Sequence, residues 1–181
     1  DVPLYQLGME FGKPRLSALP KLTKLFNQIQ PDIIQGWMYH GNLAAQLANF
    51  LAKQKVPVLW SIHHSIESLR AEKRSLAAII RLNSFLSSQS FRVIYSARRG
   101  QAQHMVLGYC SQNALTIGDN FDLSKYKPTD KPEQLRESLN LDKNSILIGS
   151  VARYAPMKDH ANFLDAAAQI IPDHPNVHFI L

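Results

Sequence analysis

Ser150-Val151-Ala152-Arg153-Tyr154-Ala155-Pro156-Met157-Lys158-Asp159-His160 lies between an apolar run, Ile146-Leu147-Ile148-Gly149, and an amphipathic stretch from Asn162 to Ile171. That order reads as strand, loop, helix. Arg153 leaves the strand end, and Lys158 stands at the mouth of the helix. A helix N-terminus carries partial positive charge and unpaired N–H groups, so two cations beside it make a place to hold a diphosphate. Spacing alone fits a strand-to-helix loop with two solvated cations equally well.

Working outward, short apolar runs alternate with longer amphipathic ones, which predicts βα units around a parallel sheet. Strands are expected at Val2–Leu7, Pro31–Gly36, Val56–Ile62, Phe91–Tyr95, Leu115–Ile117, Ser145–Ser150 and Val177–Leu181. Helices are expected at Leu19–Ile29, where Leu22, Leu25, Phe26 and Ile29 fall at helical spacing, and at Asn42–Lys53, Ser68–Ser87 and Ala97–Leu107. A short helix is expected at Glu133–Leu139 and a loop from Gly8 to Ser17. Between Gly118 and Pro132 the periodicity stops and polar residues, Gly and Pro take over, which marks a linker. The residues beyond it are too few for a convincing independent domain.

The chain has 181 residues, 45% of them hydrophobic and 19% charged, as in an ordinary folded protein. No apolar run is long enough for a membrane span. A single cysteine, Cys110, excludes an internal disulfide, fits a reducing compartment and has no base beside it. The net charge of +6 is spread through Arg70, Lys73, Arg74, Arg81, Arg92, Arg98 and Arg99. Aromatic residues do not interleave with these cations as in RNA-binding signatures, so nucleic acid is not an expected partner.

The quoted segment resembles the donor-diphosphate loop of retaining glycosyltransferases of the GT-B fold, family 4 (glycosyltransferase group 1). That loop runs Val-Gly-Arg-Leu, then Lys-Gly or Lys-Asp-His and a helix; Ala152 replaces its Gly here. Gln30-Pro31-Asp32-Ile33-Ile34-Gln35, Val56 to His63 and Phe91 to Ser96 resemble three strands of the family's first domain. Asn120 to Pro128 resembles its interdomain crossing, with Ile117-Gly118-Asp119-Asn120 where Ile-Pro-Asn-Gly is common, so that Asn120 takes the place of the turn's Gly. The family's glycine-rich first loop is missing. So is its acidic E-x(7)-E motif, since neither Glu133 nor Glu137 has a glutamate at that spacing. The chain opens on Asp1 and ends within an expected strand. The resemblance therefore implies an internal segment: 1–118 the later part of a Rossmann-like acceptor domain, 119–132 the linker, and 133–181 the start of a Rossmann-like donor domain.

The same resemblance assigns Arg153 and Lys158 to the diphosphate of a nucleotide-sugar donor, and His63 to a catalytic place facing the interdomain cleft. Independently, His63 stands at the carboxyl end of an expected strand, where open α/β sheets bind ligands. His64 follows and is expected to point elsewhere, so the pair does not suggest a metal site. His40, on an expected strand-to-helix loop, is a candidate for the acceptor side, with Asn42 capping the helix. Asp159 is expected to cap the donor-loop helix, His160 to be structural, and Asp122 to stabilise the crossing turn. Ser61 and Ser65 near His63 lack a Gly-x-Ser-x-Gly elbow, which weakens a hydrolase reading.

The function implied is transfer of a sugar, with retention, from a nucleotide-diphosphate sugar to a saccharide or lipid-linked acceptor in glycan biosynthesis. No metal or other cofactor is expected, and the 181-residue segment alone is expected to be inactive. The implied setting is cytoplasmic, and the basic stretch around Arg70, Lys73 and Arg74 is compatible with peripheral contact at the inner membrane face. Two alternatives remain open: a non-catalytic nucleotide-sugar or interaction module, favoured by the missing acidic motif, and a GT-B sugar-nucleotide epimerase.

Overall fold

The computed structural model describes residues 2–8, 17–127 and 133–181. They form two compact units, Asp1–Asn120 and Phe121–Leu181. Most of the loop expected at 8–17, and the end of the expected linker, lie outside the described residues. Among the described residues no helix is long and apolar enough to cross a membrane.

The first unit begins with α1 (Ala18–Ile29), whose end is closed by Gln30 in the left-handed region at φ 52°, with its N–H on the Phe26 carbonyl. Four strands follow: β1 (Ile34–Trp37), β2 (Val58–Ile62), β3 (Arg92–Tyr95) and β4 (Ala114–Thr116). They pair in parallel, in chain order. Three helices connect them, α2 (Met38–Leu51), α3 (Arg74–Leu86) and α4 (Arg98–Val106). This is the α/β architecture expected, since parallel strands need crossover connections. β2 lies inside the sheet and is buried along almost its whole length, with Trp60 fully enclosed. Val58, Trp60, Ile62, Val93 and Tyr95 meet Tyr39, Ala45, Ile80 and Leu86 in one apolar core. Each large side chain so buried contributes about 1.5–3 kcal/mol.

Three expectations for this unit are corrected. Residues 2–7 form no strand: Val2 and Leu4 are almost fully exposed, and no described strand pairs with them. The helix expected from Asn42 already starts at Met38, so His40 and Asn42 lie inside α2. Asn42 caps nothing; it is fully buried, its Nδ2 donates to the Ser61 carbonyl and its Oδ1 accepts the Ser61 N–H, both at 3.3 Å. The helix expected from Ser68 starts only at Arg74. Ser68 Oγ accepts the Arg70 N–H at 3.2 Å, a local bond that competes with helix.

The second unit holds α5 (Gln134–Ser138) and a parallel pair, β5 (Ile146–Gly149) and β6 (Val177–Ile180), joined through α6 (His160–Ile170). Phe163 on α6 packs edge-on against Phe179 of β6, ring centroids 5.5 Å apart. Asp122 organises its own turn, its Oδ1 accepting the Ser124 N–H at 3.0 Å while Lys125 lies 3.4 Å from Oδ2.

His104 on α4 is fully enclosed, and burial lowers its pKa from the ordinary 6.5. Above that value both folded and unfolded chains hold it neutral. As pH falls below about 6.5 the unfolded chain binds a proton that the folded chain refuses, so folding stability declines. Urea midpoints between pH 7 and 5 are expected to fall less steeply in His104→Gln; equal slopes would refute this.

Candidate functional site

β2 ends at Ile62, and the chain leaves the sheet through His63 and His64. The two rings diverge. His63 stacks on Trp37 with centroids 4.4 Å apart, and its Nδ1 lies 3.6 Å from Asp119 Oδ1. At that distance the carboxylate attracts a protonated ring without a formed hydrogen bond. His64 turns inward to Tyr39 and Glu72. His63 is partly open to solvent, its side chain 31% exposed.

Trp37 is the last residue of β1, and α2 begins directly after it through Met38 at φ 58°. A non-glycine residue in this region stores strain, which the neighbouring structure must hold. Met38 Sδ accepts the His63 N–H at 3.4 Å, so this tight turn also touches the His63 backbone. His40 is exposed near the start of α2. Together with Trp37, Leu22, Phe26, Leu43 and Leu47 it lines an apolar groove of about 560 Å³ along α1 and α2. Trp37 therefore stands between the two sequence candidates, stacking on His63 and lining the groove that His40 borders.

Ser61 does not join them. It is buried in β2 and its hydroxyl accepts from Gln35 Nε2 at 2.6 Å. Among the described residues no three His, Cys, Asp or Glu side chains gather as metal ligands.

Arg153 and Lys158 share the loop between β5 and α6 in the second unit. Both are exposed, and neither takes an ion-pair partner among the described residues. The loop has internal bracing: His160 Nε2 donates to the Arg153 carbonyl at 3.1 Å while Tyr154 stacks on its ring at 5.4 Å. His160 is structural, as expected. Asp159 is not the expected cap. It sits in the left-handed region at φ 51° and its side chain makes no capping bond, so among the described residues no side chain caps the first-turn N–H groups of α6. Two cations and an uncapped helix terminus on one loop suit a polyanion.

Trp37 and Asp119 carried no sequence signal for a place beside His63, because both contacts are made across the fold.

No family model and no curated protein matches the chain. Solved structures do. The chain is similar to Anabaena Alr3699/HepE, solved in complex with UDP, at 21% identity and TM-score 0.75, over 91% of this chain and 44% of that one. HepE has also been solved with UDP-glucose. It is similar to sucrose-phosphate synthase from Thermosynechococcus elongatus at 15% identity and TM-score 0.71, over 91% of this chain and 41% of that one. A UDP-N-acetylglucosamine 2-epimerase matches less well, at 12% identity and TM-score 0.53, over 94% of this chain and 46% of that one. These likenesses establish the GT-B, Rossmann-like fold. The chain spans less than half the length of each of these structures.

Proposed function

We propose that the full-length protein transfers a sugar, with retention of configuration, from a nucleoside diphosphate sugar to a saccharide or lipid-linked acceptor. The observation that carries this reading is the loop of Arg153 and Lys158 opening on the uncapped end of α6, in a chain of GT-B fold. In this reading the two cations and the helix N–H groups hold the donor diphosphate. They stabilise the negative charge that grows on it as the glycosidic bond breaks. Those groups supply the charge that a divalent ion would otherwise bring, so the reaction needs no metal.

His63 takes the donor sugar side. Its Nδ1 faces Asp119, which leaves Nε2 to meet a sugar hydroxyl. His40 and its groove take the acceptor side, where apolar walls suit a lipid-linked or ring-stacking acceptor. The exposed cations Arg70, Lys73 and Arg74 would meet anionic headgroups at the inner membrane face.

UDP-glucose, bound in one HepE structure, is the first probe to try, followed by GDP- and ADP-sugars. Calorimetry on the full-length protein in EDTA is expected to give saturable binding of one of them, displaced by the free diphosphate. Transfer to an acceptor saccharide under the same conditions, with the product anomer read by NMR, is expected to show retention. Failure of every donor to bind would sink the reading. Binding without transfer would favour a non-catalytic nucleotide-sugar module. Interconversion of the sugar with no acceptor present would favour the epimerase.

A further inference from the structure

Beneath His63 a chain of hydrogen bonds runs through the first unit. His104 Nδ1 lies 2.7 Å from the Gly100 carbonyl, His104 Nε2 lies 2.8 Å from the Tyr39 hydroxyl, and that hydroxyl lies 3.3 Å from His64 Nδ1. His64 Nε2 in turn lies 3.7 Å from Glu72 Oε1. The direction of the first three contacts follows from one fixed point. A carbonyl oxygen only accepts, so His104 Nδ1 carries the hydrogen. Burial keeps this ring neutral, which leaves Nε2 bare, and the Tyr39 hydroxyl must donate to it. With its hydrogen committed, the Tyr39 oxygen accepts from His64, so His64 Nδ1 carries a hydrogen too. A proton added to His64 then enters at Nε2, on the Glu72 side.

No neighbouring group reverses this order. Tyr95 and Tyr109 pack on the His104 ring at 5.3 and 5.0 Å, and burial pushes both phenols, like Tyr39, well above the ordinary tyrosine value. The nearby pair of Arg99 and Glu67 is closed on itself at 2.7 Å. Tyr39 is held from α3, where Asn83 Nδ2 donates to its carbonyl at 2.9 Å.

The same helix that carries His104 grips the segment around His63. The Ile66 N–H donates to Gln103 Oε1 at 3.0 Å. Gly100 lies so close that an added Cβ would come within 3.2 Å of the His64 carbonyl oxygen.

We infer that Tyr39 and His104 are positioning residues: they fix His64 in its Nδ1–H form and, through it, the backbone that presents His63. This rests on the proposed role of His63, but its first half is measurable without activity. Long-range nitrogen–proton NMR of the full-length protein, labelled with nitrogen-15 in its histidine rings, reads each tautomer above the titration range. Both His104 and His64 are expected as Nδ1–H, although a free histidine in water favours Nε2–H. Tyr39→Phe deletes only the hydroxyl. It is expected to move His64 to the Nε2–H form while Gly100 holds His104 unchanged, and to lower kcat about tenfold with KM within about twofold.

An Nε2–H His64 in the wild type would overturn the inference without any variant, so a poorly folding Tyr39→Phe does not protect it. An unmoved tautomer in a folded Tyr39→Phe would also overturn it. A moved tautomer with full turnover would overturn the link to His63. If His63→Ala keeps full turnover, the proposed role of His63 fails instead, whatever the tautomers show.

Discussion

Lys158→Ala in the full-length protein is expected to cut sugar transfer by about 10²–10³-fold, roughly the cost of removing one preorganised charge donor from a developing anion. The loss should fall mainly on kcat. In the proposed reaction Lys158 would meet a diphosphate already charged in the bound donor, and a more strongly charged one as the sugar departs. The side chain has the freedom such a role needs. It is exposed, it takes no ion pair among the described residues, and its own N–H is occupied by the Ala155 carbonyl at 2.9 Å. The surrounding loop does not depend on it, because His160, Tyr154 and the Arg153 carbonyl brace one another. Folding should survive the substitution, so lost turnover would report chemistry. Lys158→Arg keeps the charge but replaces a point donor by a planar fork, and should recover only part of the rate. Steady-state kinetics of the three proteins decide the matter: near-normal turnover in Lys158→Ala would leave Lys158 a solvated loop cation.

What the sequence disclosed divides along a physical line. Elements stabilised by their own periodicity were legible. The stripe of Leu22, Leu25, Phe26 and Ile29 became α1, and the run from Val56 to Ile62 became the buried β2. Features decided by a partner distant in the chain were not. Val2–Leu7 has strand composition, but a strand exists only where a neighbour accepts its hydrogen bonds. Asn42 looks like a cap locally, yet it serves Ser61 of another element. Asp159 likewise stands at a helix start but turns through the left-handed region instead of capping. The candidate site follows the same rule. Arg153, Lys158 and His63 are candidates by loop position and by the resemblance, whereas Trp37 and Asp119 reach His63 only through the folded sheet. His104 and Tyr39 gave no sequence signal at all, since direction in a hydrogen-bond chain is a property of contacts.

Gly36→Ala is expected to unfold the first unit or to leave it severely destabilised. An added Cβ would stand 2.6 Å from Asn42 Cα, 2.7 Å from its Oδ1 and 2.9 Å from its N. Two of those atoms are backbone in α2, so the side chain cannot simply swing away. Moving the helix would pull Asn42 from Ser61, whose N–H and carbonyl it pairs inside a fully buried site. Overpacking costs about 1–3 kcal/mol, and each buried polar group left unpaired about 1–3 more. The sum takes a large share of the roughly 5–15 kcal/mol that holds an ordinary domain together. Gly41→Ala supplies the control. It lies in the first turn of α2, just before Asn42, and its added Cβ would find nothing nearer than 3.9 Å. In a helix that exchange should stabilise by up to about 1 kcal/mol. The same change at two glycines of one strand–helix unit is thus expected to act with opposite sign, which thermal unfolding monitored by circular dichroism would show. If Gly36→Ala melts within a few degrees of the wild type, the close seating of α2 on β1 is wrong. With it would fall the tight turn at Met38 that sets Trp37 against His63.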